Sequence, residues 1–111
     1  MSVTVSGKIE HGDLENIFSR NVQEVSFTKF YKSGNVEALN MAGSTFFFRS
    51  NDTIGFIFLS FYDGSEQKID FGRVGGGSGI LNIRWGAGNK LEENILQEIK
   101  QAADGAGVTV T

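Results

Sequence analysis

Hydrophobic and polar residues alternate with period two through most of this chain, and in two places the period lengthens to that of a helix. Val3 and Val5 face one way and Thr4 and Ser6 the other, which predicts a short strand over Ser2–Ser6. After His11-Gly12, Leu14, Ile17 and Phe18 fall on one helical face. Asp13 and Glu15 suit the positive end of a helix dipole and Arg20 the other end, which predicts a two-turn helix over Asp13–Arg20. Period two then returns from Gln23 to Lys32. Val25, Phe27 and Tyr31 share a face with Lys29 as its odd member, and Phe30 lies opposite.

The turn signal Ser33-Gly34-Asn35 leads into a hairpin partner over Val36–Met41. Ala42-Gly43-Ser44 predicts a break before a further strand, Thr45–Arg49, which carries Phe46-Phe47-Phe48. Ser50-Asn51-Asp52 turns again. Ile54–Tyr62 is the most apolar strand: Phe56, Phe58 and Tyr62 face one way, Ile57, Leu59 and Phe61 the other. A strand apolar on both faces is either covered twice or half-exposed for binding. Asp63-Gly64 is a type I′ hairpin dipeptide. The strand that follows, Glu66–Phe71, alternates cleanly, with Ile69 and Phe71 inward and Lys68 and Asp70 outward.

Next comes the densest glycine run, Gly75-Gly76-Gly77-Ser78-Gly79. It leads into a strand on which Leu81, Ile83 and Trp85 face inward. Asn89-Lys90-Leu91-Glu92 has the pattern of a capping box. A helix of about four turns follows, with Leu91, Ile95, Ile99 and Ala102 on one face, Leu96 and Ala103 widening the stripe, and Gly105 placed to end it. Val108–Thr111 is either a short edge strand or a frayed end. The order of elements predicts an α+β fold of about five to seven strands. It is a single curved antiparallel β-sheet with a short N-proximal helix and a long C-terminal helix packed on one face.

Length makes the chain a single domain, 1–111, with no room for a second core. It contains no cysteine, which excludes disulfides and thiolate chemistry, and no proline, so no prolyl isomerisation slows folding. Net charge is −3 with the two signs interspersed, so nucleic acid is not an expected partner. No apolar run reaches the roughly 20 residues needed to span a bilayer, and no signal sequence opens the chain. These features predict a soluble, cytoplasmic protein with no membrane partner.

Candidate chemistry is sparse. A glycine loop can present consecutive N–H groups to an anion. On that reading Gly75, Gly76, Gly77 and Ser78 cradle a phosphate or carboxylate, Arg73 or Arg84 supplies charge, and Trp85 stacks on the ligand. The glycines lie between strands and no lysine follows them, so neither the Walker nor the dinucleotide fingerprint applies, and a hairpin or bulge that curls the sheet is the plainer reading. His11 is the only histidine and reads as an exposed loop residue. Asp63, Glu66 and Asp70 read as a solvated hairpin face. No constellation is catalytic, and neither a metal nor a cofactor is expected.

The ten phenylalanines pose the sharper question. Adjacent residues of Phe46, Phe47 and Phe48 cannot face one side, so part of the set meets the helices, a partner subunit or an apolar ligand. The segment Gly72–Ile99, with its glycine run, its strand ending in Trp85-Gly86 and its acidic helix, resembles a family of small bacterial proteins of unknown function. That resemblance implies a compact α+β domain and no catalytic residues. The expectation is therefore a non-enzymatic module that self-associates as a homo-oligomer through Phe46, Phe47, Phe48, Phe56 and Phe58. The alternative is a carrier of a small apolar or anionic ligand, with a pocket between the sheet and the C-terminal helix.

Overall fold

The period-two segments become the strands of one antiparallel sheet, and the two helical segments become helices laid on one side of it. The computed structural model describes residues 1–47, 51–74, 83–84 and 90–111. In chain order the elements are β1 (Ser2–Val5), α1 (His11–Asn21), β2 (Glu24–Ser33), β3 (Val36–Phe47), β4 (Asp52–Tyr62), β5 (Gln67–Val74), β6 (Ile83–Arg84) and α2 (Lys90–Ala106). The strands lie in the order β1-β5-β4-β3-β2, and β6 pairs with the far end of β5 beside β1. This is the expected α+β sheet with both helices on one face.

β1 and β2 begin and end the sheet, so the chain must cross four strand spacings between them, about 19 Å. α1 makes that crossing. Its 11 residues rise about 16 Å, and its buried Leu14, Ile17 and Phe18 face the sheet throughout. α2 lies beside it and buries Ile95, Ile99 and Ala103. Between helices and sheet the core is filled by Phe18, Phe56, Phe58, Phe71, Leu39, Ile69 and their neighbours, each at most 2% exposed. The rings of Phe18 and Phe58 sit 5.8 Å apart, and those of Phe58 and Phe71 6.0 Å apart. Pairs at such distances add to the free energy of burial.

Several boundaries differ from the sequence pattern, each for a local reason. The expected break at Ala42-Gly43-Ser44 is absent, and β3 runs unbroken for 12 residues. Gly43 is there because the backbones approach closely. A Cβ at that position would lie 2.5 Å from the Glu24 carbonyl oxygen, 3.0 Å from Val22 and 3.2 Å from Phe18. The irregularity is instead a bulge on β2 between Val25 and Phe27, opposite Gly43 and Ala42. The β4–β5 turn is centred one residue later than Asp63-Gly64, since the Asp63 N–H donates to the Glu66 carbonyl. The Asp63 carboxylate accepts from the Ser65 and Glu66 backbone N–H groups and from the Ser65 hydroxyl. These bonds to its charged form, from Glu66 first and then Ser65, hold its pKa below the ordinary value.

α2 runs past Gly105 to Ala106 and ends at Gly107, whose φ is +74°. There the Val108 N–H donates to the Ala103 carbonyl and the Gly107 N–H to Asp104, the bond pattern of a Schellman motif. The tail then joins the sheet. Thr4 and Thr111 exchange backbone bonds of 3.1 and 2.8 Å, and the Ser6 N–H donates to the Thr109 carbonyl. His11 is not an exposed loop residue either. It opens α1, is half-buried, and stacks on Phe30 with ring centroids 3.8 Å apart.

Gly43→Ala is expected to destabilise the fold by about 1–3 kcal/mol, because the added methyl meets backbone that cannot step aside. Gly12→Ala, whose Cβ meets nothing within 4 Å, is expected to stay neutral or gain up to about 1 kcal/mol. Urea denaturation of the two variants beside the parent checks the contrast.

Candidate interaction surface

Alternation along β4 sends Phe56, Phe58 and Ser60 inward and Ile57, Leu59 and Phe61 outward, and strand register carries the division across the sheet. One outward row runs Tyr31, Ala38, Phe61, Lys68, Thr4 from edge to edge. The next runs Lys29, Asn40, Leu59, Asp70, Ser2, and a third runs Phe27, Ala42, Ile57, Gly72. Both helices pack on the inner side, and no described element covers these rows. Phe27 is 52% exposed, Tyr31 54%, Phe61 50% and Leu59 37%.

The result is an apolar field with alanine and glycine as its floor and aromatic side chains as its relief. A shallow hollow of about 300 Å³ lies between Ala38, Asn40, Leu59 and Phe61, with Lys68 and Asp70 at its rim. Charge is placed at the margins. The Lys29 ammonium sits 5.6 Å from the Tyr31 ring on β2, and Asp70 on β5 accepts a bond from the Ser2 hydroxyl. Such a face offers apolar contact and directional charge. Among the described residues no cluster of three histidine, aspartate or glutamate side chains could hold a metal. No described helix is long and apolar enough to cross a membrane.

The interface residues expected from the sequence divide. Phe56 and Phe58 are core residues, 2% and 0% exposed, because they share the inner face with Phe71 and Ile69 across the β4–β5 ladder. They are not on the surface. Phe46 lies on the outward side at the far end of β3, opposite Thr53, and is half-buried. Phe47 pairs in register with Asp52, and Phe48 lies outside the described residues. The exposed aromatic residues are instead Phe27, Tyr31 and Phe61.

Of the anion-site residues, Gly75, Gly76, Gly77, Ser78 and Trp85 lie outside the described residues. Arg73 pairs in register with Arg84, so antiparallel strands flank the glycine run on both sides. Arg73 shares the inner face with Phe56, and its Nε is buried without a hydrogen-bond partner. Close by, the Glu92 side chain of α2 is 1% exposed, and neither carboxylate oxygen accepts a bond. Glu92 therefore does not complete the expected capping box. It turns into the core, where desolvation pushes its pKa up, while the chain's amino group and Arg73 pull it partly back. The positive charge of Arg73 is set against this internal carboxylate.

Between the sheet and the helices lie the buried side chains of Phe18, Phe56, Phe58, Ile95 and Ile99. Two polar groups at the margin of this layer are satisfied locally. The Gln67 amide brackets Ile9, accepting from its N–H and donating to its carbonyl, both at 3.1 Å. The Lys8 ammonium donates to the buried Glu37 carboxylate at 2.6 Å. No protein-family model matches the chain, and no curated protein or solved structure is detectably similar to it.

Burial of Glu92 fixes the sign of a pH effect. Its folded pKa lies above the ordinary 4.5, so the native state holds the proton more tightly than the unfolded chain. That contribution is full below pH 4.5 and is lost as pH rises through the folded value. Asp63 titrates below this window and does not mask it. Glu92→Gln should therefore flatten the fall in stability between pH 4.5 and neutrality, measured as Tm across that range. A parent-like slope would show that the carboxylate is solvated.

Proposed function

We propose that this chain is a non-enzymatic interaction module whose partner is a second copy of itself, packed sheet face to sheet face. The observation that carries the reading is the uncovered apolar field on a sheet whose two helices both lie on the other side. Four strands by about nine residues give roughly 20 by 30 Å, on the order of 600 Å² of plan area before side-chain relief. A standard interface removes about 800 Å² from each partner, so the face is of the right size.

The charges favour a copy over an unrelated partner. Two sheets packed face to face align within about 30°. A two-fold axis running along β4 turns the row Lys29-Asn40-Leu59-Asp70 end for end. Leu59 then meets Leu59, Asn40 of each subunit lies over Asp70 of the other, and Lys29 lies over Ser2, beside that Asp70. The Phe61 side chains of the two subunits meet at the axis, and Tyr31 of each reaches over Thr4 of the other. The arrangement is isologous, with each contact made twice.

The test is sedimentation equilibrium at micromolar concentration. The parent is expected as a dimer or higher even-numbered oligomer. Phe61→Asp, which alters a half-exposed ring outside the core, is expected to weaken the face contact by 100-fold or more while the circular dichroism and Tm of the fold persist. A parent that stays monomeric at tens of micromolar would overturn the reading.

A further inference from the structure

The sheet treats its two edges differently. On the β1 side the tail folds back, with Thr4 and Thr111 bonding in both directions and the Ser6 N–H donating to Thr109. On the β2 side no described segment pairs with Glu24–Ser33 beyond β3. A strand of 10 residues is left with one ladder instead of two.

The geometry of that edge is regular where it matters. Gly34, with φ of +59°, and Asn35 form a two-residue turn, so Ser33 and Val36 are a hydrogen-bonded pair. Alternation then makes Tyr31, Lys29 and Phe27 bond to β3, while Lys32, Phe30 and Thr28 turn their N–H and C=O groups to the open side. The turn bounds this run at one end and the bulge between Val25 and Phe27 bounds it at the other. The uninterrupted segment is 27–33, and its midpoint is Phe30.

We propose that β2 of a second copy pairs antiparallel with this edge, about a two-fold axis at Phe30. That register is the one in which the whole regular run finds partners. Phe30 lies opposite Phe30 of the other subunit, and each Thr28 faces Lys32 of the other, in the bonded positions. Lys29 lies opposite Tyr31 twice, which repeats between subunits the cation–ring contact that each already makes internally at 5.6 Å. Sliding the pair so that the axis falls at Lys29 sets two ammonium groups directly opposite each other, which is destabilising. Lysines and a bulge normally shield an edge from stray strands. Here they shield it from other registers and leave one self-complementary. The contact is independent of the sheet-face dimer; its axis stands perpendicular to the sheet at the β2 edge and does not meet the axis along β4, so the two contacts together extend the assembly rather than close it.

The absence of native cysteine makes the test clean. In this register Thr28→Cys combined with Lys32→Cys places two thiols opposite each other at a bonded pair. Their Cα atoms are then about 5.5 Å apart, within disulfide reach. Mild oxidation should yield a covalent dimer from the double variant and none from Thr28→Cys alone. Phe61→Asp, which breaks the face contact, should leave this cross-link intact, so failure of one contact is distinguishable from failure of the other. A second measurement guards against strain from the thiols. Thr28→Pro deletes an outward N–H on an edge strand and should reduce the assembly to the face dimer in native mass spectrometry while the fold persists. A double-cysteine protein that does not cross-link, or a folded Thr28→Pro protein of unchanged mass, overturns the proposal.

Discussion

A strand has two faces, and this chain supplies helices for one. Every large feature of the molecule depends on that shortage. β4 carries Phe56, Phe58, Ile57, Leu59 and Phe61 within six positions, so alternation leaves an apolar set on each side. α1 and α2 pack side by side over Phe56 and Phe58, joined at their outer rim where the Arg20 Nε and Nη2 both donate to Glu98 Oε1, at 2.9 and 2.6 Å. Ile57, Leu59 and Phe61 receive no such cover.

Much of this division could be read from the chain. Lys68 and Asp70 alternate with Ile69 and Phe71, and a two-residue turn near Gly64 pairs residues whose numbers sum to an odd value. A turn one residue earlier would place Phe58 opposite Ile69, and the observed one places it opposite Phe71. Either way Phe56 and Phe58 join the apolar face, while Leu59 and Phe61 stand beside charge. That parity takes Phe56 and Phe58 away from any interface. Phe27 and Tyr31 share a face in the sequence pattern, and Lys29 between them marks the margin of the exposed field.

Other features were not legible because they depend on backbones meeting across long separations. Gly43 reads as a breaker in isolation and becomes a strand residue only where Glu24, Val22 and Phe18 crowd the place of its missing side chain. Glu92 has the spacing of a capping residue, yet the inner face of the sheet draws it beneath α2 toward Arg73. His11 finds Phe30 from 19 positions away, a contact that no local window contains.

The clasp between β1 and the tail has a consequence for how the molecule assembles. The Thr111 hydroxyl bonds to the Thr4 carbonyl across a sequence separation of 107, and Met1 bonds to Phe71 across 70. Hairpins β2–β3 and β4–β5 each close through short turns and need no distant partner. Closing the largest loops carries the greatest entropic cost and yields little until the surfaces being joined already exist. β1 must therefore dock late, onto a preformed β5, with the tail locking after it. The clasp acts as a latch on a finished sheet rather than as a seed for one.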